Sequence, residues 1–247
     1  GTGTTYMLQI KNLTLTHKKD LREILSDFSC VFNNGDKAVI IGEEGNGKST
    51  LLKWLYDPLM VEEYCEAEGE RLISGEVLGY LAQELPKEDQ QKSVYEFFSE
   101  QESFWNQTPK ELNQTAAKFH IAPDFFYREQ QMSTLSGGEK VKAQLMRILF
   151  AEPTVLLLDE PSNDIDIETL ETLEELILSW DKIVIYISHD ETLIERTANK
   201  IIHIEQIRRK TKSRFCIANT SYTEYLKNRS SQMENQSRQA ADERREK

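Results

Sequence analysis

Residues 37–56, KAVIIGEEGNGKSTLLKWLY, constrain the fold more than any other stretch of the chain. KAVII is a short run of mostly β-branched apolar residues, the pattern of a buried strand. LLKWLY reads as a helix. Between them, GEEGNGKST follows the pattern G-x-x-x-x-G-K-[ST]. A strand that passes into a helix through bare glycine backbone turns a row of N–H groups toward one point. The positive end of the helix dipole lies behind them. That combination suits the phosphates of a nucleotide. Gly42, Gly45, Asn46, Gly47, Lys48, Ser49 and Thr50 are the expected binding set. Lys48 is expected at the β and γ oxygens, and the Ser49 hydroxyl on a Mg²⁺ ion.

The rest of the chain supplies the sheet that such a loop needs. MLQIKNLTL, from Met7, alternates apolar and polar residues as a half-buried strand does, and Asn-Gly in DFSCVFNNGD marks a turn. TVLLLDE (154–160) and KIVIYISHD (182–190) are buried strands that end in polar groups. KVKAQLMRILFA is an amphipathic helix expected to turn Val141, Leu145, Ile148 and Leu149 inward. In ETLETLEELILSW, Leu170, Leu173, Leu176 or Ile177, and Trp180 are expected inward. Strands alternating with helices predict an α/β fold whose mostly parallel sheet is covered on both faces. Ligands of such sheets sit at the carboxyl ends of the strands.

Candidate catalytic groups lie at those ends. Asp159 closes one buried strand and suits a Mg²⁺ ion. Glu160 follows it and is placed to orient or deprotonate an attacking water. His189 ends the next strand, placed to bond the γ-phosphate or position the water, and Gln83, in the loop after GYLA, is placed to reach the cation or the water.

LSGGE (135–139) opens another helix. Ser136 and Glu139 have the spacing of a capping box, which accounts for both residues. It does not account for Gly137 and Gly138, which each cost a helix about 1 kcal/mol relative to alanine. Bare backbone at a helix start allows close approach of an anion, so this is a second phosphate-facing candidate.

Residues 57–134 differ in character, with 16 Asp and Glu against six Lys and Arg, and with Pro86, Pro109 and Pro123 breaking a series of short helical patterns. A mostly helical subdomain, about 85–145, is expected as an insert in the α/β core. RRKTKSR (208–214) reads as a solvated hairpin tip. The net charge of −12 argues against a general nucleic-acid binder. Cys30, Cys65 and Cys216 are scattered and odd in number, which fits reduced thiols in the cytoplasm. No apolar run reaches the ~18–20 residues of a membrane span, so no direct membrane insertion is expected. Residues 1–6 read as a cloning scar ahead of a natural start at Met7. After Leu226 the chain is charged and almost free of apolar residues, a pattern shared by a solvated helix and a disordered tail.

Taken together, these motifs resemble the nucleotide-binding domain of the ATP-binding cassette (ABC) superfamily, over about residues 7–226. The order is Walker A at 42–50, Q-loop at Gln83, signature at 135–139, Walker B at 155–160, D-loop at 162–166 with Asn163 and Asp166, and switch histidine at His189. The resemblance implies a P-loop NTPase fold with an antiparallel β subdomain and an inserted helical subdomain, binding ATP with Mg²⁺. It also implies a second cassette packed head to tail. Ser136, Gly137, Gly138 and Glu139 would then face the partner's nucleotide. LLLDEPSNDID and TSYTEYLKNRSSQ are similar to the ABC-F branch, which has tandem cassettes and acts on ribosomes, in some members against antibiotics. Residues 227–247 would begin the charged helical linker. The alternative is the ATPase subunit of a membrane transporter. A chromosome-maintenance ATPase is disfavoured, because Asp159 lies only 111 positions beyond Lys48, which leaves no room for a long coiled coil. Glu44 departs from the asparagine usual at its position, SNDID departs from the usual D-loop, and His17 is the nearest match to the aromatic residue that stacks on adenine.

Overall fold

The computed structural model describes residues 7–45, 47–206 and 213–245. The expected scar at 1–6, Asn46 and most of the basic cluster at 208–214 lie outside the described residues.

The chain opens with two long antiparallel strands, β1 (Met7–His17) and β2 (Glu23–Asn33). After the Asn34–Gly35 turn comes β3 (Lys37–Ile41), then the glycine loop and α1 (Lys48–Tyr56). Strand β4 (Cys65–Ile73) returns to pair with β1, completing a three-stranded antiparallel sheet in the order β2-β1-β4. β4 lies in the acidic stretch 57–134, ahead of the helical subdomain expected at about 85–145. Its residues from Glu66 to Glu70 are exposed and only Cys65 is buried, so an acidic edge strand carries no apolar alternation to read.

β5 (Leu78–Leu81) leads into four short helices: α2 (Lys87–Gln90), α3 (Val94–Ser99), α4 (Glu102–Trp105) and α5 (Pro109–Lys118). Short helices have little stability of their own. Here a knot of Phe97, Phe98, Phe104, Phe125, Phe126 and Phe150 holds them, with Phe98 and Phe126 edge to face at 5.0 Å. Such pairs add about 0.5–1.5 kcal/mol beyond area burial. Thr108 caps α5 in a full capping box with Glu111.

The remaining elements are α6 (Gly137–Phe150), β6 (Val155–Asp159), α7 (Ile167–Ser179), β7 (Ile183–Ile187), α8 (Glu191–Thr197), β8 (Lys200–Gln206), β9 (Ser213–Ala218) and α9 (Tyr222–Arg245). They complete a six-stranded sheet in the order β5-β6-β7-β3-β8-β9, parallel except for β9. Both faces of this sheet are buried. Leu156, Leu158, Val184 and Tyr186 point to the side of α6, α7 and α8, whereas Val155, Leu157, Ile183 and Ile185 point to the side of α1 and the antiparallel sheet. That is why β6 and β7 read as unbroken apolar runs.

The buried face of α6 is rotated from the one expected. Lys142, Ala143, Leu145, Met146 and Phe150 are buried, while Val141, Ile148 and Leu149 are only partly covered. Lys142 lies on the inward face, and its ammonium group meets the Glu168 carboxylate at 3.3 Å. On α7, Leu173 and Ile177 are inward as expected, and the Trp180 indole N–H donates to the Thr154 carbonyl.

Helix α9 is 24 residues long, and only Tyr225 of it is buried. Its first turns are pinned to β8. The Tyr225 hydroxyl meets His203 Nδ1 at 2.6 Å, and Arg229 pairs with Glu205.

Candidate nucleotide site

β6, β7 and β3 are neighbours in the sheet, with Asp159 level with Ile187 and Ile187 level with Ile40. Three consecutive carboxyl ends therefore deliver Asp159–Glu160, Ser188–His189 and the glycine loop to one place. Gly45, Gly47, Lys48, Ser49, Thr50, Gln83, Glu160 and His189 line a single cleft of about 470 Å³ there.

Gly47 is the N-cap of α1, with φ of 77°. A Cβ on it would lie 1.7 Å from Ile24 Cγ2, so both conformation and space demand glycine. The cap has no side-chain hydrogen bond and the first turn carries no acid. The first N–H groups of α1 are thus left for an external acceptor. Lys48 folds back over the loop and donates to the carbonyls of Gly42 at 2.7 Å and Glu43 at 2.8 Å. Burial lowers its pKa, while the carboxylates of Glu160, Glu44, Asp159 and Glu43 oppose the shift. Glu44 itself is exposed on the cleft wall.

Asp159 is 1% exposed. Burial raises its pKa, opposed by a hydrogen bond from Ser49 and by the charges of Lys53 and Lys48. Its Oδ1 is enclosed without a protein partner. A carboxylate oxygen beside a hydroxyl is the hard-oxygen donor set that Mg²⁺ takes, so these residues fit the ion. Glu160 has φ of 50°, a left-handed conformation that costs a residue with a side chain about 1–3 kcal/mol. Its N–H donates to the Ile187 carbonyl and its Oε1 lies 2.9 Å from His189 Nε2. Burial raises the Glu160 pKa, the nearby His189 lowers it, and the Asp159 carboxylate raises it further, with a net rise.

Ser136, Gly137, Gly138, Glu139 and Asp166 line a different cleft of about 420 Å³, together with Lys142 and Asp164. The capping box is complete: Glu139 N–H donates to Ser136 Oγ at 3.1 Å, and Ser136 N–H to Glu139 Oε1 at 3.2 Å. The two glycines have a reason that the sequence did not reveal. A Cβ on Gly137 would lie 2.2 Å from the Asp164 carbonyl oxygen, and one on Gly138 would lie 2.5 Å from Asp166 Oδ1 and Thr169 Oγ1. The D-loop packs directly on the start of α6. Asn163 is exposed in the turn between the two clefts, its N–H bonded to the Glu160 carbonyl.

Sequence reasoning missed several groups. Tyr64 and Arg22 line the first cleft beside His17, whose ring lies 6.2 Å from that of Tyr64. Tyr80 lies behind Asp159, and Lys142 lies under the signature. None carries a spacing signal, because each is brought in by tertiary packing.

Comparison with known proteins agrees with this geometry. The sequence profile of the ABC transporter family matches residues 25–163, and the chain belongs to that family. It is similar to the ATP-binding protein Uup of Escherichia coli, 34% identical over 187 residues, covering 72% of this chain and 28% of the relative. It is also similar to the energy-dependent translational throttle protein EttA of Haemophilus influenzae, 30% identical over 196 residues, covering 79% of this chain and 34% of the relative. The chain thus spans about a third of the length of these relatives. Among solved structures, a nucleotide-free ATP-binding cassette from an ABC transporter superposes with a TM-score of 0.69 at 16% identity, covering 90% of this chain and 94% of that one. No helix among the described residues is long and apolar enough to cross a membrane.

Proposed function

We propose that the chain is one cassette of a tandem ABC-F ATPase that acts on the ribosome in the cytoplasm. Its composite ATP sites would be completed by a second cassette. The observation that carries this reading is the separation of the two clefts. No described residue lines both the phosphate loop cleft and the signature cleft. The similarity to a protein named as a translational throttle supports the ribosomal part. The charged helix α9, leaving the body after Tyr225 and Arg229, supports the start of a linker at about residue 227.

In this reading, the amides at the start of α1 receive the phosphates, and the Lys48 ammonium exchanges loop carbonyls for the β and γ oxygens. Ser49 and Asp159, with Gln83 at the cleft wall, hold Mg²⁺, which supplies charge neutralisation on the phosphate oxygens when bound. Glu160 accepts a proton from the attacking water, and the His189 Nε2–H holds the Glu160 carboxylate in place. Ser136 Oγ accepts from Glu139 N–H and so keeps its hydroxyl proton for an external anion. That anion is the nucleotide of the second cassette, approached also by the bare backbone of Gly137 and Gly138, with Asn163 and Asp166 at the same junction.

The test is co-sedimentation of the full-length protein carrying Glu160→Gln with purified ribosomes, with and without ATP. ATP-dependent pelleting with ribosomes is expected. Ribosome-independent recovery with membrane subunits would overturn the reading in favour of a transporter ATPase.

A further inference from the structure

β5 pairs in parallel with β6, with Tyr80 level with Leu157. Asp159 lies two residues beyond Leu157 on the same sheet face, so Tyr80 and Asp159 are diagonal neighbours. A tyrosine side chain can reach across such a diagonal. Tyr80 and Leu78 both pack toward the α1 side of the sheet. The Tyr80 ring is fixed there by Tyr56, the last residue of α1, stacked on it at 5.1 Å between centroids and 21° between planes. The Tyr80 hydroxyl oxygen is enclosed and has no hydrogen-bond partner, and neither does Asp159 Oδ1. A native interior rarely leaves two such atoms unsatisfied. No hydrogen bond joins them directly, and neighbouring buried polar atoms left in that state are ordinarily joined by water.

We propose that Tyr80 is a positioning residue for the cation site: its hydroxyl donates, through one bridging water, to Asp159 Oδ1 and holds that carboxylate beside Ser49. The inference rests on the reading of Asp159 and Ser49 as cation ligands. Groups that orient metal-binding carboxylates govern metal affinity about as strongly as many ligands do, by 10- to 100-fold. Burial and the Asp159 charge both raise the phenol pKa, so Tyr80 stays protonated and remains a donor. Tyr56 keeps the ring in place whether or not the hydroxyl is present, so Tyr80→Phe removes the donor and keeps the packing.

The experiment is a Mg²⁺ titration of fluorescent ATP-analogue binding to the wild-type protein, Tyr80→Phe and Asp159→Asn. Each variant is also measured in excess chelator, which reads cation-free affinity. The expected result is a Mg²⁺ midpoint raised about 10-fold in Tyr80→Phe with cation-free affinity unchanged, and a larger rise in Asp159→Asn. An unchanged midpoint in Tyr80→Phe, with Asp159→Asn shifted, would overturn the role of Tyr80 alone. An unchanged midpoint in Asp159→Asn would overturn the cation reading itself, and the inference with it. Equal loss of affinity by Tyr80→Phe with and without Mg²⁺ would show a merely structural residue and also overturn it.

Discussion

His189 Nε2 stands 2.9 Å from Glu160 Oε1, at the ends of two neighbouring strands, and the Glu160 N–H is bonded to the Ile187 carbonyl two residues before that histidine. The pair is therefore fixed by sheet register as well as by its own contact. Glu160→Gln keeps the shape and the His189 contact and removes the base. ATP binding is expected to survive and turnover to fall by about 10²–10⁴-fold, measured by equilibrium binding and phosphate release.

The same carboxylate sets a pH dependence. Burial raises the Glu160 pKa above the ordinary glutamate value. A base works only when deprotonated, so activity present at neutral pH is lost as the pH falls through the raised pKa. The acid limb of the rate profile is expected above the range of an exposed glutamate. Replacing His189 with Ala removes a neighbour that lowers that pKa and is expected to move the limb further up.

Lys48→Ala removes the ammonium that bridges the Gly42 and Glu43 carbonyls. Nucleotide affinity is expected to fall at least about 10-fold, since charge-assisted hydrogen bonds contribute about 1.5–3 kcal/mol each. Thermal unfolding is expected to change far less, and calorimetry of both properties separates the two effects.

Gly137 and Gly138 yield a stability prediction. A methyl group at either would meet the 164–169 segment at 2.2 to 2.5 Å. Gly137→Ala and Gly138→Ala are expected to destabilise the nucleotide-free protein by about 1–3 kcal/mol, as overpacking does. Unchanged melting temperatures would mean that the glycines serve anion access alone.

Much of this site was legible because its chemistry is local in sequence. The glycine loop needs the strand before it and the helix after it, and Asp159, Glu160 and His189 follow apolar runs that can only be buried strands. Capping at Ser136 was legible because Glu139 is three residues away. What was not legible depends on distant partners. The reason for Gly137 lies in the carbonyl of Asp164. Lys142 is buried on the inner face of α6, where its partner Glu168 lies 26 residues further along the chain. β4 carries Glu66, Glu68 and Glu70 at an open edge, where no burial demands alternation. Tyr64, Arg22 and Tyr80 reach their places only when strands far apart in the chain are aligned.

The docking of α9 gives a further test. Tyr225 is the one buried residue of that helix, bonded to His203. His203 is level with Ile41, the residue before Gly42. Tyr225→Ala is expected to speed hydrogen exchange through residues 222–230 and leave the protection of β3, β6 and β7 unchanged.

On the proposed function, the two clefts of this chain are halves of sites completed by a second cassette. The most direct measurement is ATP turnover per chain across a wide dilution series of the isolated chain, with nucleotide binding measured alongside. Binding is expected at every concentration, with a rate per chain that falls to background on dilution and is restored when a second cassette is added. A rate per chain that stays constant and high in the fully dispersed monomer would contradict it.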